Sequence, residues 1–357
     1  MVRKTIVSAL AALLIVPAPF MAAAALADGG DPLIIAHRGA SGDRPEHTLA
    51  AYELAIDQGA DFIEPDLVVT KDLVLVSRHE NELSGTTDVA SREEFDHLKR
   101  EKTIDGTRVA GWFAEDFTLE ELRTLRAKER VPASRPANTR FNGLYQVPTF
   151  EEIVKLVRAK EAETGRKIGL YPELKHPNFV LEVEGIDMVD LALRELRNLG
   201  IEPSDPIFIQ CFEVGTLRRL NQRSDYKLIQ LVAPDGGPVD EPDMRYAEMI
   251  TPSGLEEIAA YADGIGPWLG HVIDPQSMAA TSLVADAHGF GLKVHPWTLR
   301  KENGFLPAGL QNEGGPAADG KWQMFWRAAL ASGADGFFTD NVKEFVALTG
   351  QADEPER

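Results

Sequence analysis

Short apolar, β-rich runs alternate with helix-period segments from Asp31 onward, and that alternation predicts an α/β chain with a parallel sheet. The strand-like runs fall at residues 33–36, 61–69, 168–173, 207–211, 228–232, 264–266, 292–295 and 336–339. Leu33-Ile34-Ile35 and Ile207-Phe208-Ile209 are apolar without alternation, as in strands covered by helices on both faces. Helix starts lie between them. Thr149-Phe150-Glu151-Glu152 and Ser253-Gly254-Leu255-Glu256 each place a hydroxyl three residues before a glutamate, the capping-box pattern. The first helix should run from Thr48 to Gln58, with Gly59 as its stop. Another covers 216–221. Eight strand–helix units predict a closed (β/α)8 TIM barrel, with an open doubly wound sheet as the alternative that strand count leaves standing.

Two stretches do not fit the repeat. Residues 73–77 are strand-like and follow 61–69 after the turn Thr70-Lys71-Asp72, which is short enough only for an antiparallel return. Residues 84–148 are polar and poorly periodic, apart from a capped helix at 118–125, and predict a small inserted subdomain near the barrel mouth. A second long loop, 301–320, is rich in Gly, Ala and Pro and is expected to be mobile. The barrel domain is placed at 28–350, with 351–357 as a disordered tail.

The N-terminus adds a compartment. Arg3 and Lys4 precede an apolar run through Met21, and Ala25-Leu26-Ala27 follows as a small-residue cleavage signal. Pro17 and Pro19 interrupt the run, which disfavours a membrane anchor. Residues 1–27 are therefore predicted to be a signal peptide, and the mature chain to be exported, periplasmic or secreted, without a stable membrane anchor. Of the 357 residues 44% are hydrophobic and 26% charged, a globular composition. The 56 acidic residues outnumber the 37 basic ones for a net charge of −19, which excludes a general nucleic-acid surface and requires local cations or a metal for any anionic ligand. Cys211 is the only cysteine, so no intramolecular disulfide is available.

Polar residues that interrupt apolar strands carry the chemistry, because a buried charge is costly unless paired or metal-bound. His37-Arg38-Gly39 ends the first strand, Glu64 and Asp66 share one strand face at i, i+2, Glu173 and Lys175 repeat that spacing on the third strand, and His79 ends the hairpin. In a (β/α)8 barrel these ends converge on the C-terminal rim. Glu64, Asp66 and Glu173 form a hard oxygen set suited to Ca²⁺ or Mg²⁺. Arg38 and Lys175 can bind phosphate oxygens, and two imidazoles can act as general acid and base, a set that matches phosphodiester cleavage. Each residue also has a plainer reading: any one of the carboxylates could be a cap or a salt-bridge partner. His47, His97, His176, His271 and His288 read as ordinary surface or packed histidines, as would His79 alone. Trp268, Trp297 and Phe338 fit a glycerol or head-group pocket or simple barrel packing.

At these residues the sequence resembles the glycerophosphodiester phosphodiesterase family, most closely its exported, calcium-dependent branch. Ile34-Ile35-Ala36-His37-Arg38-Gly39 with Pro45-Glu46-His47-Thr48-Leu49 is similar to the opening motif, and Glu64-Pro65-Asp66 through His79 to the second block. Tyr171-Pro172-Glu173-Leu174-Lys175, Gln210-Cys211-Phe212, Val294-His295-Pro296-Trp297-Thr298 and Gly336-Phe337-Phe338-Thr339-Asp340 continue it over nearly the whole mature chain. The resemblance implies hydrolysis of small-molecule glycerophosphodiesters to sn-glycerol 3-phosphate and an alcohol, with the substrate's 2-hydroxyl as nucleophile through a cyclic phosphate. It implies His37 and His79 as the acid/base pair, and one divalent cation on Glu64, Asp66 and Glu173. Arg38 and Lys175, with Gln210 and Trp297, would hold substrate. Two positions depart from the family: Glu80 stands where Asp is usual, and Gly85 where Arg is common, which bears on head-group preference. The competing readings are a sphingomyelinase D-like or lysophospholipase D-type enzyme on the same scaffold, and an exported solute-binding protein.

Overall fold

The structure, a computed structural model, describes residues 31–350; the predicted signal peptide and C-terminal tail lie outside the described residues. Thirteen strands are present among them: β1 (Leu33–His37), β2 (Phe62–Glu64), β3 (Asp66–Val69), β4 (Leu75–Ser77), β5 (Arg100–Ile104), β6 (Thr107–Gly111), β7 (Gly169–Leu170), β8 (Glu173–Leu174), β9 (Phe208–Cys211), β10 (Lys227–Val232), β11 (Gly264–Pro267), β12 (Lys293–Val294) and β13 (Gly336–Thr339). Two of the predicted strands are broken by proline. Pro65 separates β2 from β3 and Pro172 lies between β7 and β8, because proline has no N–H to give the ladder. Their carbonyls keep the ladder going: Glu173 N donates to Pro65 O at 3.0 Å and Gln210 N to Pro172 O at 2.9 Å.

With each broken pair counted as one stave, the parallel ladder runs β1, β2/β3, β7/β8, β9, β10, β11, β12, β13 and back to β1. Between β12 and β13 the joint is made by Asp335 N to Val294 O (3.0 Å), Phe338 N to Pro296 O (3.1 Å) and Leu299 N to Phe338 O (2.8 Å). The circuit closes, so the molecule is a (β/α)8 TIM barrel and not an open sheet. Inside it Ile35, Phe62, Tyr171, Ile229 and Phe338 form a separate buried cluster. The larger core lies between staves and helices, from Ile34, Ile63 and Ile209 out to Tyr52, Phe150, Leu217 and Phe345.

Helix signals mostly sit where the residues place them. Thr48 caps Leu49–Asp57 by accepting from Ala51 N, and Gly59 follows at φ 103°. Thr149 and Glu152 form both halves of a capping box on Phe150–Thr164, and Thr118 and Glu121 do the same on Leu119–Leu122. The 253–256 box does not form. Pro252 occupies the first helical position and forces Thr251 extended (φ −81°, ψ 161°), so Thr251 caps Pro252–Ala259 and Ser253 is already inside it.

β4 pairs antiparallel with β3 as a hairpin off the second stave. Residues 84–148 carry the β5–β6 hairpin and several short helical turns over a cluster of their own, built on Val89, Phe95, Trp112, Phe117 and Leu125 and reaching Val68 and Val76 on the barrel. The loop 301–320, expected to be mobile, is instead pinned from within. Asn303 is buried and its side chain donates to Asn312 O (2.7 Å) and Gly315 O (2.9 Å) while accepting from Asn312 N (2.9 Å). Composition does not reveal such a cross-link.

Candidate active site

The C-terminal ends of the first three staves bring Glu64, Asp66 and Glu173 together, each buried, with one carboxylate oxygen from each lying within 4.8 Å of the others. Pro65 sets the first two on one side, and register pairs Asp66 with Glu173 directly. Such crowding has electrostatic consequences. Burial, reinforced by Asp66, drives Glu64 well above the usual carboxylate range. Burial, partly offset by Lys175, pushes Glu173 up to about 8. Burial acts on Asp66 as well, yet Lys175 and Arg38 hold it well below its ordinary value.

Cations border the triad. Lys175 Nζ donates to Glu173 Oε1 at 2.9 Å. Arg38 N donates to Glu64 Oε2 at 2.8 Å, and its guanidinium lies 3.3 Å from both Asp66 and Glu46. Asp66 Oδ1 is buried with no hydrogen-bond partner. An all-carboxylate donor set with an orphaned oxygen fits a hard divalent ion.

A cavity of about 120 Å³ opens beside this cluster, lined by His37, Arg38, Glu64, His79, Glu173, Lys175, Gln210 and Trp297, with Phe212, Leu231 and Phe338. Every predicted site residue except Asp66 lines it; Asp66 lies beside them as the third member of the triad. Gln210 Nε2 donates to Glu64 Oε1 at 3.2 Å, and Trp297 Nε1 to Gly266 O at 2.8 Å, which turns its ring edge toward Phe212 (centroids 6.0 Å apart). Of the other two aromatic candidates Phe338 lines the cavity and Trp268 does not. His295 is a packed residue, its Nδ1 lying 2.7 Å from the Tyr171 hydroxyl inside the barrel.

His37 Nδ1 lies 2.6 Å from Asp340 Oδ1. An ionised carboxylate only accepts, which assigns the ring proton to Nδ1 and leaves Nε2 for a ligand. Burial, then Arg38, lowers the His37 pKa to about 4 despite Asp340, so the ring is neutral. His79 is likewise held well below the usual range, by burial and then Arg38 and Lys175. Its Nδ1 lies 3.1 Å from Glu80 Oε1. At the other departure from the family pattern, Gly85 is exposed and a side chain would meet open space.

Several supporting residues escaped the sequence reading. Asp340 ends the motif that begins at Gly336, and its Oδ2 also receives Arg135 (2.5 Å) and Arg300 (2.6 Å). Arg135, from the insertion, bonds Glu302 of the long loop at 2.6 Å as well. His47, read as a packed histidine, is packed, but its Nε2 lies 2.8 Å from Asp66 Oδ2 while Nδ1 meets Tyr52 and Ser77. The available signal was position: Asp340 follows the last stave directly, as His37 ends the first.

Known proteins match the chain along most of its length. The profile of the Glycerophosphoryl diester phosphodiesterase family matches residues 37–344. Glycerophosphodiester phosphodiesterase GDPD6 of Arabidopsis thaliana is 35% identical over 324 residues, covering 87% of this chain and 83% of that protein. The Haemophilus influenzae glycerophosphodiester phosphodiesterase is 32% identical, with 87% of each covered. Among solved structures, an Oleispira antarctica phosphodiesterase in complex with the product sn-glycerol-3-phosphate superimposes with a TM-score of 0.60 at 19% identity, over 90% of this chain and 97% of that one. That likeness bears on the fold.

Proposed function

The chain belongs to the glycerophosphoryl diester phosphodiesterase family and is an enzyme, and on that premise we propose that it hydrolyses glycerophosphodiesters to sn-glycerol 3-phosphate and an alcohol with a divalent cation bound. The observation that carries this reading is one cavity that holds two imidazoles, a guanidinium, an ammonium and two of the three clustered carboxylates. In this reading Arg38, as a planar fork, and Lys175, as a point charge, hold the non-bridging phosphate oxygens. Gln210, beside Glu64, and Trp297 line the same cavity and would bound the substrate. Glu64, Asp66 and Glu173 would hold the cation, Ca²⁺ with Mg²⁺ as the alternative, and when bound it supplies charge that offsets the negative charge gathering on phosphate.

His37 and His79 are the acid/base pair. One, as the neutral imidazole, takes the proton of the substrate's 2-hydroxyl as that oxygen attacks phosphorus; the other, protonated at Nε2 once the anionic phosphodiester lies beside it, gives that proton to the departing alkoxide, and water then opens the cyclic phosphate with the roles reversed. Among the described residues that line the cavity there is no serine, threonine or cysteine, which supports a nucleophile supplied by the substrate. Cys211 is buried, its thiol pushed up by burial and aimed at Leu174 O. The basic-then-apolar N-terminus supports an exported enzyme, periplasmic or secreted; among the described residues no helix is long and apolar enough to cross a membrane.

The test is release of glycerol 3-phosphate from glycerophosphocholine and glycerophosphoethanolamine by the purified chain with Ca²⁺, with Mg²⁺ and with chelator. Release that the chelator stops is the expected result. Folded, metal-loaded protein that releases nothing from either substrate would overturn the reading.

A further inference from the structure

His79 is backed by a chain of charged groups that ends in the insertion. Glu80 Oε1 lies 3.1 Å from His79 Nδ1, and Glu80 Oε2 lies 2.8 Å from His176 Nε2. The other ring nitrogen, His176 Nδ1, lies 2.5 Å from Asp105 Oδ2. Asp105 and Gly106 form the two-residue tip of the β5–β6 hairpin, both at positive φ (50° and 76°), the Asp-Gly turn that a tight hairpin favours. His176 is itself held in the left-handed region at φ 47°, directly after Lys175 and at the start of the helix Pro177–Glu184. A non-glycine residue in that region is worth about 1 kcal/mol or more of strain, and it persists where its surroundings over-determine it. Here both ring nitrogens are engaged by carboxylates from different parts of the chain.

Each cavity histidine has a carboxylate near Nδ1: Asp340 is hydrogen-bonded to His37 at 2.6 Å, and Glu80 stands at ion-pair distance, 3.1 Å, from His79. Asp340 is fixed by two arginines in the interior, whereas Glu80 is partly exposed and its second oxygen is anchored by His176. The two oxygens of Glu80 face one ring each.

We propose that Glu80, His176 and Asp105 are positioning residues that fix the orientation and the Nδ1-protonated form of His79, which makes the tip of the inserted hairpin a working part of the active site. The proposal rests on the reading of His79 as a member of the acid/base pair. Carboxylates behind a working imidazole act by holding tautomer and ring plane, and losing such a partner costs at least about tenfold in turnover.

The test uses the full chain with its cation and glycerophosphocholine, comparing Glu80→Gln, His176→Ala and the double variant. Each single change should lower kcat tenfold or more while KM and cation affinity stay within twofold, and the double variant should be no slower than the slower single. Losses that multiply, losses carried by KM, or unchanged kcat would overturn the proposal. A second readout needs no substrate: the ¹⁵N shifts of the His79 ring should report a single Nδ1-protonated form in the parent and a tautomer mixture in both single variants. An identical His79 signature in parent and variants would also overturn it. A parent without turnover would remove the proposed function, while the ring spectra would still decide the positioning.

Discussion

The two imidazoles differ in what stands behind them, and that sets how each site residue should respond to substitution. His37 lies in the cavity wall beside the carboxylate triad, with its Nδ1 on Asp340. His37→Ala should therefore abolish turnover and leave cation affinity within twofold, measured by calorimetric titration beside steady-state kinetics; loss of cation binding would reassign it. Asp340→Asn removes the charge that fixes His37 while keeping its shape. Turnover should fall about 10²–10⁴-fold. The same change strips buried Arg135 of one of its two carboxylates, so stability should drop by about 3–5 kcal/mol in urea unfolding. Full stability with full activity would show that the Asp340 pair does neither job.

Among the elements, those with local causes were legible and those with distant causes were not. Eight staves could be read because each is a short, β-rich apolar run between helix-period segments, and the helix at Phe150–Thr164 because Thr149 and Glu152 lie one turn apart. Thr149→Ala removes that cap and should cost about 1 kcal/mol in urea unfolding with kcat unchanged; an activity loss at equal stability would tie this helix to the site. The site triad was legible for the same reason, three acids interrupting apolar strands. What holds it was not. Asp340 meets His37 across 303 positions and Arg135 across 205, and no spacing rule connects them. Loop 301–320 was misread because glycine and proline report backbone freedom, while Asn303, which cancels that freedom with three side-chain hydrogen bonds, is one polar residue among many. The 253–256 start was misread because two hydroxyls flank Pro252 and only one can precede the helix.

For the molecule as a whole, stability should carry the signature of the buried triad. Glu173 has a folded-state pKa raised by burial to about 8, against about 4.3 in an unfolded chain. A raised value means that its contribution is fully present below about 4.3 and is lost as pH rises through about 8. Glu64, raised in the same direction, adds to this loss. Asp66, held low by Lys175 and Arg38, contributes above about 3.9 and loses that contribution only in acid. The cation-free protein should therefore weaken between pH 5.5 and 8.5. A divalent cation needs the carboxylates ionised and displaces their protons, so its stabilising effect must grow across the same window. At a hundredfold excess over Kd that effect is about 2.7 kcal/mol, and Kd itself tightens with pH. Melting curves with Ca²⁺ and with chelator at pH 5.5, 7 and 8.5 should show the increment rising, and Glu173→Gln should flatten it. An increment independent of pH in the parent would place the cation elsewhere than on these three carboxylates.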